Sequence, residues 1–347
     1  MNIILDATGA GFGGLTYFVE NLISEIVFAE EVTKVYLIGI RIENSSEKLH
    51  CISSNHARRP MRIISNAYSV FKLRSMVDSY LISISPSLSS LSWYKLPWIQ
   101  NYNDVQFLSK YFTISLSKKI YRSLIYKICG HFSTHNVAIS ETTAYELVKH
   151  GILHQSPKVI YLSGAIERMH LNESIDLLII GHSKHKNFRW VLRCIEEMRE
   201  NISNVVCLVA PAFNELQDLK SDLKSDVKSG NIQFVSNLSN LQYTELINSA
   251  KVVVMNSEPG TEGFGLPLAQ ALFLNKNIVH SLDSALIEIC GELGEVLLGK
   301  SIAEDSSKIF AAINKSTNGT VGWSLENRLW CDVATDYIKL LYLVKNS

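Results

Sequence analysis

Residues 261–272 read TEGFGLPLAQAL, and they follow the apolar run Val252–Met255 after a short polar stretch. That run has the length and the β-branched content of a buried parallel strand. Pro267 suits the first turn of a helix. A strand, a glycine-rich turn and a helix start place backbone N–H groups where an anion binds, and Glu262 adds an acceptor for hydroxyl groups. The stretch predicts a site for a phosphorylated sugar, although an ordinary strand-to-helix connection would have the same pattern.

Short apolar runs alternate with helical stretches along the whole chain. This alternation is typical of a parallel α/β sheet, and it restarts midway, which indicates two sheets joined near residues 164–173. The predicted strands are 2–6, 35–40, 80–84, 137–139, 159–162, 177–181, 205–210, 232–235, 252–255 and 278–280, and the predicted helices are 15–28, 141–150, 188–200 and 243–249. The charged stretch Asn214–Ser229 is predicted to be a surface helix or loop.

Composition excludes several classes of protein. A length of 347 residues corresponds to about two domains. Lys and Arg number 33, as do Asp and Glu, so the net charge does not indicate a nucleic-acid partner. The six cysteines form no Cys-x-x-Cys pair and are interpreted as reduced packing residues. No apolar run approaches the roughly 18 residues of a membrane span, so we expect a soluble protein, and reduced cysteines indicate the cytoplasm.

A second glycine-rich turn, Gly9–Gly14, follows the first predicted strand and satisfies the pattern G-x-G-x-x-G. That pattern also occurs in dinucleotide-binding proteins, which place an acidic residue about 20 positions further on, at the end of the second strand. Here the nearest candidate, Glu43, lies too late. A dehydrogenase-like protein is therefore the weaker interpretation.

Several segments carry a family resemblance, in the right order. The stretch EGFGLP at 262–267, the opening GFGGLTYFVENLI at 11–23, the step Ile139–Thr142 and the segment Ile180–Asn187 resemble the family-4 glycosyltransferases. That family has the GT-B fold of two facing Rossmann-like domains. The resemblance implies an acceptor domain over 1–165, a nucleotide-sugar domain over 166–325 and a C-terminal helix, 326–347, that packs back on the first domain.

The resemblance also implies a chemistry, which is retaining, metal-independent transfer of a hexosyl group from a nucleotide sugar to a hydroxyl. Fixed positive charge stabilises the departing diphosphate in such a reaction. The implied catalytic residues are Glu262 and Lys186. The implied donor-binding residues are Gly13, Gly14, His182, Lys184, Gly263, Phe264, Gly265, Leu266 and Gln270. Residues on the acceptor or sugar side are Asn103 and Asp104, and no metal ligand and no cofactor are implied. The donor is expected to contact Gly13–Gly14 on one side and Gly263–Gly265 on the other.

The chain departs from the family pattern at three of these positions. His182 stands where the family has an arginine, and a neutral imidazole cannot replace a permanent bidentate cation. Gln270 stands where a second glutamate binds ribose hydroxyls, and Asn103 replaces a histidine and cannot be a general base. The alternative to an active enzyme is therefore a degenerate GT-B protein that acts as a partner or regulator of another glycosyltransferase.

The resemblance and the residues together suggest where the protein acts. The implied acceptor is a glycan or a lipid-linked glycan in the synthesis of a surface polysaccharide, such as lipopolysaccharide O-antigen or capsule. Ser117–Ile128 reads SKKIYRSLIYKI, with basic residues between aromatic and aliphatic ones. This segment predicts weak contact with the anionic inner face of the cytoplasmic membrane. A packed helix with a solvated basic face is the alternative.

Overall fold

The computed structural model describes residues 1–8, 10, 13–42, 46–52, 59–76, 78–93, 97–181, 184–209, 231–315, 325 and 327–345. The chain divides into two compact units. Unit 1 comprises Met1–Leu108, Thr113–Leu162 and Leu329–Ser347, and unit 2 comprises Ser109–Phe112 and Ser163–Arg328. The predicted surface segment Asn214–Ser229 lies outside the described residues, as does the last residue of the strand predicted over 205–210.

Unit 1 is built on a parallel sheet of seven strands. Its strands are β1 (Asn2–Asp6), β2 (Lys34–Ile38), β3 (Leu49–Ile52), β4 (Ser79–Ser83), β5 (Trp98–Tyr102), β6 (His135–Ala138) and β7 (Lys158–Val159), and its helices are α1 (Gly14–Ile26), α2 (Arg59–Leu73), α3 (Leu116–Phe132) and α4 (Glu141–Lys149), with short 3₁₀ turns at Ser90–Trp93 and Gln106–Leu108. The strand order is β3-β2-β1-β4-β5-β6-β7. The order therefore reverses between β1 and β4.

Unit 2 repeats this architecture with a parallel sheet of six strands. Its strands are β8 (Ile175–Ile180), β9 (Val205–Leu208), β10 (Ile232–Val235), β11 (Ala250–Met255), β12 (Asn277–Ser281) and β13 (Glu295–Leu297), and its helices are α5 (Phe188–Glu197), α6 (Asn240–Asn248), α7 (Leu266–Phe273), α8 (Ser284–Cys290) and α9 (Ile302–Asn314), with a 3₁₀ turn at Lys184–Lys186. The order β10-β9-β8-β11-β12-β13 reverses between β8 and β11.

The last helix, α10 (Trp330–Lys345), belongs to unit 1 although it follows unit 2 in the chain. The ring of Phe18 on α1 lies 6.2 Å from that of Trp330 and 6.4 Å from that of Tyr337, centroid to centroid. The Tyr337 hydroxyl donates a hydrogen bond of 2.8 Å to Asn101 Oδ1 on β5. Buried aromatic packing and a satisfied buried hydroxyl therefore fix this helix against the first sheet.

The sequence-based prediction of an α/β chain with two parallel sheets and a returning C-terminal helix is confirmed. Strands β3, β5 and β13 and helices α2, α8 and α9 were not among the predicted elements. No helix in the described part of the chain has both the length and the apolar character that crossing a membrane requires.

Candidate active site

The candidate site lies where the strand order of the second sheet reverses. Strands β8 and β11 are parallel neighbours, with Leu177 opposite Val252 and Ile179 opposite Val254. Ligands of open α/β sheets bind beyond the carboxyl ends of strands at such a reversal. The 3₁₀ turn Lys184–Lys186 follows β8, and the glycine-rich turn that contains Glu262 follows β11. The fold therefore brings together the two segments that carry the predicted catalytic residues.

Lys186 and Glu262 form an ion pair at this point. The Lys186 ammonium donates a hydrogen bond to Glu262 Oε1, and the side chains are only 4% and 11% exposed. Ser257 donates a second hydrogen bond of 2.6 Å to the same oxygen, and His185 Nε2 lies 3.8 Å from it. These contacts all fall on Oε1. An ammonium has three donors and a carboxylate has two acceptor oxygens, so the pair retains capacity for a ligand.

The loops that carry the pair are tied to each other through the backbone. The Glu258 N–H donates a hydrogen bond of 2.7 Å to the carbonyl of His185. Asn256 Nδ2 donates one of 3.2 Å to the carbonyl of Asn187, which begins helix α5 in a left-handed conformation. The positions of Lys186 and Glu262 are thus set by the two loops before any ligand binds.

Electrostatics keep Glu262 charged and His185 neutral near pH 7. Burial opposes ionisation of Glu262, but the Lys186 charge and the hydrogen bonds from Lys186 and Ser257 outweigh it and hold the pKa of this carboxyl below its usual value. Burial, and then the Lys186 charge, lowers the pKa of His185, against the attraction of Glu262. Lys186 is therefore the cation that pairs with Glu262.

Asp283 holds the turn that presents Glu262. Its Oδ2 accepts hydrogen bonds from the backbone N–H groups of Thr261, at 3.0 Å, and Glu262, at 3.3 Å, and its Oδ1 caps helix α8 through Ala285 N at 3.0 Å. Burial and then the nearby Glu262 charge raise the pKa of Asp283 to about 6, against the backbone hydrogen bonds, which lower it. Asp283 is a positioning residue that sequence inspection did not identify.

Replacing Asp283 by asparagine should change how stability depends on pH. The folded pKa of about 6 is above the unfolded value of 3.8. This carboxyl therefore stabilises the fold fully below the unfolded pKa, and that contribution is lost as the pH rises through the folded pKa. Between pH 4 and pH 6.5 we expect the wild type to lose about 2 kcal/mol relative to Asp283→Asn, measured by urea unfolding.

Asp305→Asn is the matched control, since Asp305 is also buried and also accepts two backbone N–H groups, those of Leu298 and Gly299. A stability difference between wild type and Asp283→Asn that stays constant across this pH range would contradict the assignment.

The glycine-rich turn ends at Gly265, which caps the start of helix α7 with φ 86°. This left-handed conformation favours glycine, and a Cβ here would lie 2.5 Å from Leu286 Cδ2. The first helical hydrogen bond runs from Leu268 N to Gly265 O, so the amides of Gly265 and Leu266 precede it. The side chains of Phe264 and Leu266 are buried. At Phe264, Gly265 and Leu266, the part of the residue that can contact a ligand is thus the backbone.

Gln270, the residue at the family's second glutamate position, is 1% exposed on helix α7. Its Oε1 accepts a hydrogen bond of 2.8 Å from the Tyr243 hydroxyl on α6. Its Nε2 is buried without a hydrogen-bond partner among the described residues. A buried polar atom left unpaired is unfavourable, so a ligand oxygen that reached Nε2 would stabilise this arrangement.

A segment of the first half of the chain, Ser109–Phe112, also belongs to unit 2. Ser109 Oγ donates a hydrogen bond of 3.1 Å to the carbonyl of Pro259, and the Phe112 ring lies 5.7 Å from that of His185. The segment therefore borders the site through the residue that faces Glu262. Its distance in sequence from the glycine-rich turn explains why the motif did not reveal it.

The predicted residues of unit 1 lie at the carboxyl edge of the first sheet. Asn103 Nδ2 donates a hydrogen bond of 2.6 Å to the carbonyl of Ile84, and its Oδ1 accepts one of 2.8 Å from Asn101. Asp104 Oδ2 accepts one of 3.0 Å from Gln106. Gly13, with φ 78°, precedes helix α1, which begins at Gly14, and a Cβ on Gly13 would meet nothing within 4 Å.

Asp6 forms a buried polar cluster where the order of the first sheet reverses, and the sequence did not point to it. Its Oδ2 accepts hydrogen bonds from Ser89, at 2.6 Å, and Ser90, at 3.0 Å. Its Oδ1 accepts one of 3.0 Å from the backbone N–H of Thr8, whose hydroxyl in turn accepts one of 3.1 Å from Asn66. The cluster fixes the chain as it leaves β1.

Some predicted residues fall outside the described part of the chain. They are His182 and, in the first glycine-rich turn, residues 9, 11 and 12. Lys184 is described only as the first residue of its 3₁₀ turn. Among the described residues, no group of three or more His, Cys, Asp or Glu side chains has the arrangement of a metal site.

One family of known proteins matches the part of the chain that contains the candidate site. Residues 167–313, which contain Lys186, Glu262 and Gln270, match the family Glycosyl transferases group 1. No curated protein sequence matches the chain.

Three solved structures illustrate the fold. A sucrose-phosphate synthase from Thermosynechococcus elongatus has a TM-score of 0.76 at 13% identity, over 100% of this chain and 99% of that one. HepE from Anabaena, in complex with UDP and glucose, has a TM-score of 0.65 at 12% identity, over 98% and 95%. The lipopolysaccharide outer core galactosyltransferase WaaB has a TM-score of 0.62 at 14% identity, over 98% and 99%. At these identities the likeness establishes the fold, and the GT-B prediction is confirmed.

Proposed function

We propose that this protein is a retaining glycosyltransferase that moves a sugar from a nucleotide-sugar donor to a hydroxyl of a glycan or lipid-linked glycan. The observation that carries the proposal is the buried Lys186–Glu262 pair at the strand-order reversal of unit 2, inside the matched segment. A cation and a hydroxyl acceptor beside the backbone amides at the start of α7 are the groups that a sugar diphosphate requires.

Each member of the pair has a distinct role in the proposed reaction. The anomeric carbon exchanges its bond to a diphosphate oxygen for a bond to the acceptor oxygen, and the acceptor hydroxyl passes its proton to the departing diphosphate. Negative charge then accumulates on the departing diphosphate, where the Lys186 ammonium and the amides at the start of α7 stabilise it. Glu262 accepts hydrogen bonds from hydroxyls of the transferred sugar, which requires the ionised form that Lys186 maintains.

We propose that the donor's nucleoside lies toward Gln270. Its Oε1 is engaged by Tyr243, so the group offered to a ligand is the Nε2 donor. An ionised glutamate at this position could only accept hydrogen bonds, whereas Gln270 offers a donor. Binding of a nucleoside oxygen that accepts a hydrogen bond would satisfy this buried amide.

The function is tested with a panel of nucleotide sugars in excess chelator. One of them should raise the melting temperature, since a ligand at about 100 times its dissociation constant adds roughly 2.7 kcal/mol to the free energy of unfolding. With a hydroxyl acceptor, the same sugar should be transferred with release of the nucleoside diphosphate. We propose that no metal is needed, because Lys186 and the start of α7 supply positive charge; transfer that requires added magnesium or manganese would contradict that part.

A second candidate function follows from the departures at His182, Gln270 and Asn103. It is a protein of the same fold that binds a nucleotide sugar without transferring it and acts as a partner or regulator of another glycosyltransferase. The hydrogen bond from Tyr243 to Gln270 Oε1 favours this second candidate, because it occupies the oxygen that would accept a hydrogen bond from a ribose hydroxyl. Stabilisation by a nucleotide sugar without turnover on any acceptor would support this second candidate.

The acceptor that we propose belongs to a surface polysaccharide, such as O-antigen, lipopolysaccharide or capsule, assembled in the cytoplasm. The support is the sequence resemblance together with the basic and apolar segment Ser117–Ile128 of unit 1, which suits an acceptor carried by a lipid. A water-soluble acceptor that is glycosylated as fast as any lipid-linked one would contradict it.

A further inference from the structure

Helices α2 and α3 cover the same part of the first core. Val70 of α2 and Ile125 and Cys129 of α3 are buried in one hydrophobic cluster with Leu81 and Trp98 of the sheet. Both helices also contact the 3₁₀ turn Ser90–Trp93. Each helix therefore has one face that is satisfied by packing, and its remaining residues are directed away from that core.

The opposite faces of both helices are rich in large apolar side chains. Eight such residues are between 48% and 72% exposed: Met61, Ile64, Tyr68 and Phe71 on α2, and Leu116, Ile120, Tyr121 and Leu124 on α3. The spacing of the α2 residues, and that of 116, 120 and 124, is helical, so each set forms a row along its helix. Contiguous exposed apolar surface of this kind marks an interaction site. We call these eight residues the apolar rows.

The part of the chain that contains α2 and α3 has a large excess of basic residues. Residues 48–140 contain 12 Lys and Arg residues and only two acidic residues, in a chain with 33 of each class. The two acidic residues, Asp78 and Asp104, lie outside both helices, and each accepts a hydrogen bond, from Tyr80 and Gln106 respectively. Neither α2 nor α3 contains Asp or Glu, whereas α3 carries Lys118, Lys119, Arg122 and Lys127.

We infer that α2 and α3 together form a docking surface for an anionic lipid bilayer. Apolar side chains on a basic helix insert at the boundary of headgroups and acyl chains, while lysine and arginine remain at the level of the phosphates. An excess of basic residues without acidic neighbours complements the negative potential of such a surface. The sequence had indicated only the basic segment Ser117–Ile128. The structure adds α2, whose row supplies half of the apolar side chains.

The inference is tested by co-sedimentation of the full chain with vesicles of phosphatidylcholine containing phosphatidylglycerol, without sugar substrates. The result is thus independent of transferase activity. We expect binding to the anionic vesicles, weaker binding as salt rises, and little binding to phosphatidylcholine alone. Substitution of Lys118, Lys119, Arg122 and Lys127 by glutamine should lower the partition coefficient about a hundredfold or more.

A second variant, Ile64→Asn with Ile120→Asn, tests the apolar rows. It should lower the partition coefficient at least tenfold while the melting temperature changes little, because both side chains are exposed. The matched controls are Leu241→Asn, which removes an exposed apolar residue of unit 2, and glutamine at Arg193, Arg199, Lys300 and Lys315, which removes four exposed basic residues of unit 2.

The expected result is loss of binding in both α2–α3 variants and retention in both controls. Three results would overturn the inference: no binding of the wild type to anionic vesicles, equal loss in the basic control, or full binding by the Ile64→Asn and Ile120→Asn variant. Self-association of the wild type without vesicle binding would identify the apolar rows as a protein interface instead.

Discussion

Replacing Glu262 by glutamine should lower kcat about a hundredfold or more, and it should also lower stability, because the buried Lys186 ammonium loses its carboxylate. The amide keeps the shape of the side chain but removes the charged acceptor that we assign to the hydroxyls of the transferred sugar. A hydrogen bond to a charged group contributes about 1.5–3 kcal/mol, and a group preorganised for the transition state contributes at the upper end of that range or above it. Steady-state kinetics with the donor identified by thermal shift measures the loss.

The matched control for this prediction is Glu304→Gln. Glu304 also pairs with a lysine, Lys308, at 3.1 Å, but Glu304 is half exposed and the pair lies on helix α9. Its removal should leave kcat unchanged. A well-folded Glu262→Gln protein with the turnover of Glu304→Gln would show that the active site is elsewhere.

Replacing Lys186 by methionine should destabilise the folded protein by about 3 kcal/mol at pH 7, because it leaves the buried Glu262 carboxylate without its cation. The size of this effect should fall as the pH is lowered. Without Lys186, burial raises the pKa of Glu262, so protonation of the carboxyl relieves the unpaired charge. Urea unfolding at pH 5 and pH 7 measures both effects.

The double variant, Lys186→Met with Glu262→Gln, separates stability from function. Removing both charges should restore most of the lost stability, since a buried pair can be replaced by neutral residues at little net change. It should not restore turnover. Lys308→Met, at the more exposed pair on α9, is the control and should change stability by less than about 1 kcal/mol. Equal destabilisation by Lys186→Met and Lys308→Met would contradict the burial argument.

Much of the fold could be predicted because buried parallel strands have a strong local pattern. The run Val252–Met255 indicated β11, and Ile232–Val235 indicated β10 with its bounds. Strand β3, Leu49–Ile52, lies at the sheet edge with two of its four side chains exposed, so it has no apolar run to detect.

The candidate site was predictable only where a motif spans it. Lys186 and Glu262 lie in two motif segments, and the reversal of strand order brings them together. Asp283 and Phe112 reach the site from other parts of the chain, and nothing local indicates that they do. The hydrogen bond from Tyr243 to Gln270 depends on the packing of α6 against α7, which a linear sequence does not encode locally.

Calorimetric binding of the nucleoside diphosphate portion of the donor tests the central claim, which is that the Lys186–Glu262 pair lies at the donor site. The measurement needs no acceptor and no turnover. Lys186→Met should weaken binding at least thirtyfold, because it removes a cation from the diphosphate and leaves a carboxylate beside it. Lys308→Met should bind as the wild type does. Wild-type affinity in a folded Lys186→Met protein would contradict the account.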